Sequence, residues 1–228
     1  AADYACDFHN HEHLLNALAG GRGVILCGVH LGTWEPVFRI AKRMRLRVAC
    51  VYRRAQNPLS NRRFQEIRAA YEVEWIERSD VAGIARALEE KKVVALMTDL
   101  NTVSGGLQAD FLGIPAMGPA GPAKLAMIQN CPLVPAMALR APGGRVDVHF
   151  EAPIHPGDES PAQLARRINA VFEPWILEYA EQYNWLHPRW RTRPDGSEWT
   201  LTLPREQLYA ARKSPCFEPS PRIRSLLG

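Results

Sequence analysis

The chain has 228 residues, of which 46% are hydrophobic and 23% are charged, a balance that suits one globular domain with a sizeable core and excludes disorder of the main body. No apolar run reaches the roughly 18 residues that a membrane-spanning helix needs, and no signal-peptide pattern is present. The formal charge of +4 is too small, and aromatic residues between the basic ones too sparse, for a nucleic-acid-binding surface.

Hydrophobic periodicity and turn residues predict alternating helices and strands along the whole chain. Helices are predicted over residues 6–19, 36–45, 58–71, 81–89, 121–128 and 160 to about 183. Strands are predicted over residues 23–29, 47–52, 73–76, 92–97, 133–139 and 146–150, the last two as a hairpin. Capping candidates are Asn57 or Ser60 before one helix and Ser79 or Asp80 before the next.

Buried strands separated by helices predict an α/β domain with a mixed, mostly parallel central sheet flanked by helices. This single domain is expected over residues 1–202. The proline-containing segment 203–228 is expected to be a docking or wrapping tail rather than a second domain.

The segment that carries chemistry is Val24-Ile-Leu-Cys-Gly-Val-His30-Leu-Gly-Thr-Trp-Glu35-Pro36. A strand delivers His30 to its carboxyl end, where open α/β sheets bind their ligands. Gly32 permits a sharp turn, and Glu35 lies at the entry of the next helix. Across such a joint the two side chains can meet, and a carboxylate on one imidazole nitrogen makes the other a competent general base. The structural alternative is a hydrogen-bonded histidine beside a solvated first-turn glutamate.

Six segments in order resemble the bacterial lipid A biosynthesis acyltransferases, the lauroyl and myristoyl transferases of the glycerolipid acyltransferase superfamily. Val29-His30-Leu-Gly-Thr-Trp-Glu35 is similar to their signature. The other five are Val51-Tyr52-Arg53-Arg54-Ala-Gln-Asn57-Pro58-Leu59, Ile76-Glu77-Arg78 after Arg68, Met97-Thr98-Asp99-Leu100-Asn101, Phe111-Leu112-Gly113-Ile114-Pro115-Ala116, and Tyr183-Asn-Trp185-Leu-His187-Pro-Arg189-Trp190. Two departures are Thr98, where the family has proline, and Leu100-Asn101, where it has a polar and then an acidic residue.

The resemblance implies that a lipid hydroxyl attacks an acyl thioester, carried by acyl carrier protein or coenzyme A, with His30 and Glu35 as the catalytic pair. It implies no cofactor, no metal and no covalent acyl-enzyme. It places the protein on the cytoplasmic face of the inner membrane, either peripherally or, if a membrane segment like the family's precedes this sequence, through an amino-terminal anchor. Substrate-binding positions carried over from the family are Arg53, Asn57, Arg68, Arg78, Asp99 and Asn101.

Arginine dominates the basic residues, with 23 of 28, and clusters at residues 39–47 and 53–63. Planar guanidinium groups suit phosphate and carboxylate recognition. The first cluster faces anionic lipid head groups, docks an acidic carrier protein, or is a solvated helix face.

For the other polar residues, a structural role is favoured over a functional one. On a helix, His9 and His13 would share a face as a zinc pair, but with no third ligand nearby the polar-face reading is favoured. Five scattered cysteines predict buried free thiols in a reducing compartment. The segment 185–190 is expected to pack the last helix against the body.

Two other functions use the same residues. A thioesterase would apply the same base to water, and a non-catalytic lipid-binding protein would retain the fold alone. The presence of both His30 and Glu35 argues against the second.

Overall fold

A seven-stranded sheet organises the protein in the computed structural model, which describes residues 5–69, 71–193 and 195. The strand order is β1-β9-β8-β2-β5-β3-β4, and among the described strands only the β8–β9 pair of this sheet is antiparallel. The strands are β1 (Cys6–His9), β2 (Val24–Gly32), β3 (Val48–Tyr52), β4 (Glu74–Glu77), β5 (Val93–Met97), β8 (Leu133–Ala141) and β9 (Arg145–Phe150). The predicted mixed, mostly parallel α/β fold is therefore confirmed.

Helices connect the strands and cover both faces of the sheet. They are α1 (Glu12–Ala19), α2 (Arg39–Met44), α3 (Pro58–Arg68), α4 (Val81–Glu89), α5 (Gly121–Gln129) and α6 (Pro161–Glu178). Short 3-10 turns occupy Glu35–Phe38, Pro142–Gly144 and Ala180–Gln182, and a small antiparallel ribbon is formed by β6 (Leu107–Gln108) and β7 (Met117–Gly118). In the described part of the chain, no helix is long and apolar enough to cross a membrane.

Strand β2 lies in the middle of the sheet and is apolar on both faces. Ile25 and Cys27 pack into one core cluster with α6, whereas Val24 and Leu26 pack into the cluster on the opposite face. A continuous apolar run is what a parallel strand covered on both sides requires. The buried centre of the sheet therefore holds the carboxyl end of β2 in a fixed place.

Local capping signals predicted several helix starts correctly. Helix α4 has the predicted bounds, and the Asp80 side chain accepts a hydrogen bond from the Gly83 N–H. The Asn57 side chain accepts from the N–H groups of Leu59 and Ser60 at the start of α3. These residues satisfy backbone donors that a helix leaves unpaired in its first turn.

The predicted helix over residues 6–19 is wrong in its first part. Residues Cys6–His9 form a strand that pairs in parallel with β9, and the helix begins only at Glu12. Cys6 and Phe8 alternate toward the core. The strand that pairs with it lies about 140 residues away in the chain, so no local sequence pattern predicts β1.

Helix α3 also differs from its prediction. Phe64 and Ile67 recur at helical spacing, which predicts a buried face, but they are 47% and 44% exposed, and α3 buries none of its described residues. The helix ends at Arg68 rather than at Tyr71. The last helix likewise ends early, at Glu178.

Four cysteines are free thiols, as expected, and Cys216 lies outside the described residues. Burial raises the pKa of Cys50 to about 12 and that of Cys131 to about 11. Such thiols are inert at neutral pH. The predicted tail, residues 203–228, also lies outside the described residues.

Candidate active site

His30 lies where the regular pairing of β2 with β8 breaks. The register shifts between Gly28 and Gly32, and Gly32 adopts a φ of +69°. A Cβ atom at Gly32 would lie 2.1 Å from the Ala138 carbonyl oxygen, so only glycine fits. This irregularity at a strand end turns the chain sharply just after His30.

Asp99 follows β5, the strand next to β2. The Thr98 N–H donates to the Gly28 carbonyl at 2.9 Å, which extends the contact between the two strand ends. The His30 backbone N–H donates to Asp99 Oδ2 at 2.7 Å, and His30 Nδ1 lies 2.8 Å from Asp99 Oδ1. Both carboxylate oxygens therefore meet the same histidine, once through its backbone and once through its ring.

This pair fixes the chemistry of the imidazole. A carboxylate oxygen accepts, so Nδ1 carries the proton and Nε2 keeps a free lone pair. Burial by itself lowers the pKa of His30, but the hydrogen bond and charge of Asp99, with the charge of Glu35, outweigh it and raise the pKa above its ordinary value. Asp99 is 2% exposed and the His30 side chain 25% exposed. The ring is thus a strengthened base that remains accessible.

Glu35 takes a different place from the one expected. It opens the 3-10 turn after β2, and among the described contacts it makes no hydrogen bond or ion pair with His30. Its charge nevertheless acts on His30 and helps to raise the pKa of the ring. The carboxylate that orients the imidazole is Asp99, because adjacent parallel strands bring their carboxyl ends together.

An arginine at this place on the helix predicts an anionic partner for Arg68, which could be Asp99, Glu35 or a substrate phosphate. Among the described contacts Arg68 makes no ion pair with either carboxylate, and both Asp99 oxygens accept from His30. The Arg68 guanidinium instead lies over the rings of Tyr52 and Trp75, with Cζ 4.2 Å and 5.1 Å from their centroids. Its Nη1 is buried without a hydrogen-bond partner among the described residues. Cation–π contacts thus attach the end of α3 to β3 and β4.

The other substrate-binding positions are dispersed. The side-chain oxygen of Asn57 caps the start of α3. Arg53 and Arg78 are exposed beyond the ends of β3 and β4. The sheet order separates β3 from β2 by one strand and β4 by two. Of the six, Asp99 contacts His30 directly, and Asn101 follows it by two residues in the same turn.

Asn101 contacts a segment that was expected only to pack. Its side chain exchanges two hydrogen bonds with Thr192, and its backbone N–H donates to His187 Nε2 at 2.8 Å. Packing is confirmed for Arg189, which is 1% exposed, donates to the Met117 carbonyl and lies 4.8 Å from the Phe111 ring. Tyr183 forms an isolated antiparallel bridge with Leu31, the residue after His30. Sequence reasoning assigned no site role to Tyr183 or His187, although the resemblance at residues 183–190 was a signal that pointed to them.

The remaining polar clusters are engaged elsewhere. His9 lies in β1 and stacks on His149, so the helical spacing to His13 does not apply. In the first basic cluster, Arg43 lies over the Phe8 ring and Arg47 donates to the Glu90 carbonyl. Parts of that cluster therefore hold the fold together.

A buried aspartate paired with a half-buried histidine at the ends of parallel strands defines a site suited to general-base chemistry. Among the described residues, Nε2 of this histidine makes no hydrogen bond. The bacterial lipid A biosynthesis acyltransferase family matches residues 2–192, and the chain belongs to that family.

Individual relatives agree with this assignment. The chain is 30% identical over 194 residues to the lipid A biosynthesis lauroyltransferase of Escherichia coli, covering 81% of this chain and 61% of the relative. It is 28% identical over 196 residues to the phosphatidylinositol mannoside acyltransferase of Mycolicibacterium smegmatis, covering 78% and 60%. The chain thus spans about 60% of the length of these relatives.

Among solved structures, the 1-acyl-sn-glycerophosphate acyltransferase of Thermotoga maritima is similar to this chain. The TM-score is 0.47 at 12% sequence identity, covering 77% of this chain and 72% of that one.

Proposed function

We propose that this protein is an O-acyltransferase that moves a fatty acyl group from a thioester to a hydroxyl of a membrane lipid. The observation that carries the proposal is the His30–Asp99 pair, in which Nδ1 lies 2.8 Å from Asp99 Oδ1 and Nε2 makes no hydrogen bond among the described residues. Family membership supports the substrate class, since the relatives are named for lipid acyl transfer. The thioester is carried by acyl carrier protein or by coenzyme A.

His30 would act twice in one turnover. Its Nε2 takes the proton of the lipid hydroxyl while the hydroxyl oxygen attacks the thioester carbonyl carbon. The tetrahedral intermediate then collapses, the carbon–sulfur bond breaks, and Nε2–H protonates the leaving thiolate. The products are an ester and a free thiol. Asp99 stabilises the imidazolium between the two transfers.

Glu35 and the arginines have supporting roles in this proposal. The charge of Glu35 adds to the basicity of His30. Arg53 and Arg78 are exposed beyond the ends of neighbouring strands, so they are free to bind an acceptor phosphate. Because the acceptor keeps its acyl chains in a bilayer, we expect the protein to work on the membrane surface that faces the thioester pool.

The experiment is to incubate the purified protein with an isotopically labelled acyl thioester, as acyl carrier protein or coenzyme A conjugate, and a bacterial lipid extract. Mass spectrometry should find the label in a lipid ester, and His30→Ala should form none. Label found only as free fatty acid would instead identify a thioesterase. Label left entirely on the thioester with every lipid class would contradict catalysis altogether.

A further inference from the structure

The segment after α6 returns to the active site and runs along His30. Leu31 bridges to Tyr183 in antiparallel fashion, and the Asn184 N–H donates to the His30 carbonyl at 2.9 Å. These contacts hold the segment against the end of β2. We call residues 183–192 the closing segment.

The closing segment is also tied to the turn that carries Asp99. The Asn101 N–H donates to His187 Nε2 at 2.8 Å. The Asn101 amide donates to Thr192 Oγ1 at 3.2 Å and accepts from the Thr192 N–H at 3.0 Å. Asn101 follows Asp99 by two residues, so hydrogen bonds that hold Asn101 in place also restrict the position of the Asp99 backbone.

The hydrogen bond to His187 defines the state of its ring. A nitrogen that accepts an N–H cannot carry a proton, so His187 is neutral with its proton on Nδ1. Burial lowers the pKa of His187, the charge of Asp99 opposes this effect, and the charges of His30 and Arg189 add to it. The ring therefore stays neutral at physiological pH and keeps its acceptor.

We propose that His187 is a positioning residue: by accepting the Asn101 N–H, it holds the turn after β5 so that both Asp99 oxygens face His30. The Asp99–His30 contact consists of two short hydrogen bonds at 2.7 Å and 2.8 Å. A displacement of the turn by about 1 Å would lengthen both, and misplacements of that size cost on the order of 100-fold in rate. The inference rests on the proposed function for its activity readout only.

The test compares three substitutions of one residue. His187→Gln keeps a side-chain acceptor at similar reach, His187→Phe keeps a ring but no acceptor, and His187→Ala removes both. Leu186→Ala is the matched control, because Leu186 is adjacent in the closing segment and 93% exposed. The measurements are the His30 pKa by NMR titration, the melting temperature, and kcat and KM for the acyl thioester.

We expect His187→Phe and His187→Ala to lower the pKa of His30 and to reduce kcat by about 10- to 100-fold, with little change in KM. His187→Gln should recover most of both losses, and Leu186→Ala should match the wild type. An unchanged His30 pKa in the folded Phe variant, or a Gln variant no better than Phe, overturns the inference. The pKa order among variants is measured without substrate, so it stands even if the wild type transfers no acyl group and the proposed function fails.

Discussion

The Nδ1 atom of His30 lies 2.8 Å from one oxygen of Asp99, while the backbone N–H of the same histidine donates to the other oxygen at 2.7 Å. The two residues are 69 positions apart and come from the ends of adjacent parallel strands. A double contact of this kind sets both the direction of the ring and its tautomer. The backbone of the same histidine also contacts the closing segment, because the Asn184 N–H donates to the His30 carbonyl oxygen at 2.9 Å.

The first prediction ranks the two carboxylates. His30→Ala should lower acyl transfer by about 100- to 10,000-fold, the usual contribution of a general base. Asp99→Asn should come close to that loss, because the ring loses its oriented anionic partner, and Glu35→Gln should cost less. Steady-state rates of the folded variants decide the order. A Glu35→Gln loss equal to that of His30→Ala, with Asp99→Asn nearly active, would show that Glu35 is the working partner.

The second prediction concerns pH. His30 must be neutral to accept a proton, and Asp99 raises its pKa, so kcat/KM should rise with pH through a pKa above the ordinary histidine value. Removing the Asp99 charge should lower that pKa and shift the acid limb to lower pH in Asp99→Asn. Glu35→Gln should produce a smaller shift in the same direction. If the acid limb of kcat/KM does not move in Asp99→Asn, the group that titrates there is not His30.

The third prediction tests the turn behind His30. Gly21 and Gly32 both adopt positive φ, at +78° and +69°, but only at Gly32 would a Cβ meet the backbone of Ala138. Gly21→Ala should cost about 1–2 kcal/mol of unfolding free energy from the left-handed conformation alone. Gly32→Ala should cost that amount and about 1–3 kcal/mol more from overpacking. Urea unfolding of the two variants measures the difference. Equal losses would mean that the backbone of β8 at Ala138 shifts to accommodate the added Cβ at little cost in free energy.

The fourth prediction concerns Arg68. Its guanidinium lies over Tyr52 and Trp75, so Arg68→Ala should lower the unfolding free energy by about 2 kcal/mol, the upper part of the range for a desolvated cation–π contact. Arg63→Ala is the control, because the described contact of Arg63 is an exposed pair with Glu66, worth about 0.3–0.5 kcal/mol. Thermal or urea unfolding distinguishes them. Full stability of Arg68→Ala, with a raised KM for the lipid acceptor, would assign Arg68 to substrate binding instead.

The fifth prediction tests the membrane surface. Arg53 and Arg54 are exposed beside α3. Each basic residue near an anionic bilayer contributes about 1 kcal/mol at low salt. Joint reversal, Arg53→Glu with Arg54→Glu, should therefore weaken binding to anionic vesicles at least about 30-fold.

The matched control for that test reverses Arg86 and Lys124, which are exposed on α4 and α5. Sedimentation with vesicles of phosphatidylglycerol, compared with phosphatidylcholine alone, gives the measurement. Equal weakening by both double variants would indicate attraction by net charge rather than by a defined surface.

Local sequence determined much of this protein. The start of α4 at Val81 follows from Asp80, whose carboxylate reaches the Gly83 N–H three residues on. The continuous apolar run of β2 predicted a strand buried on both faces, and Gly32 predicted the sharp turn that follows His30. Caps, periodicity and glycine turns depend on neighbours within a few residues, so they can be predicted from one chain.

Tertiary structure alone decided the rest. Glu35 is five residues from His30 and Asp99 is 69 away, yet Asp99 makes the contact, because pairing of β2 with β5 brings their carboxyl ends together. Strand β1 exists only because β9 supplies its hydrogen-bonding partners, and Arg68 finds aromatic rings because β3 and β4 lie side by side. Which strands become neighbours depends on packing the whole apolar core at once, and no local pattern contains that information.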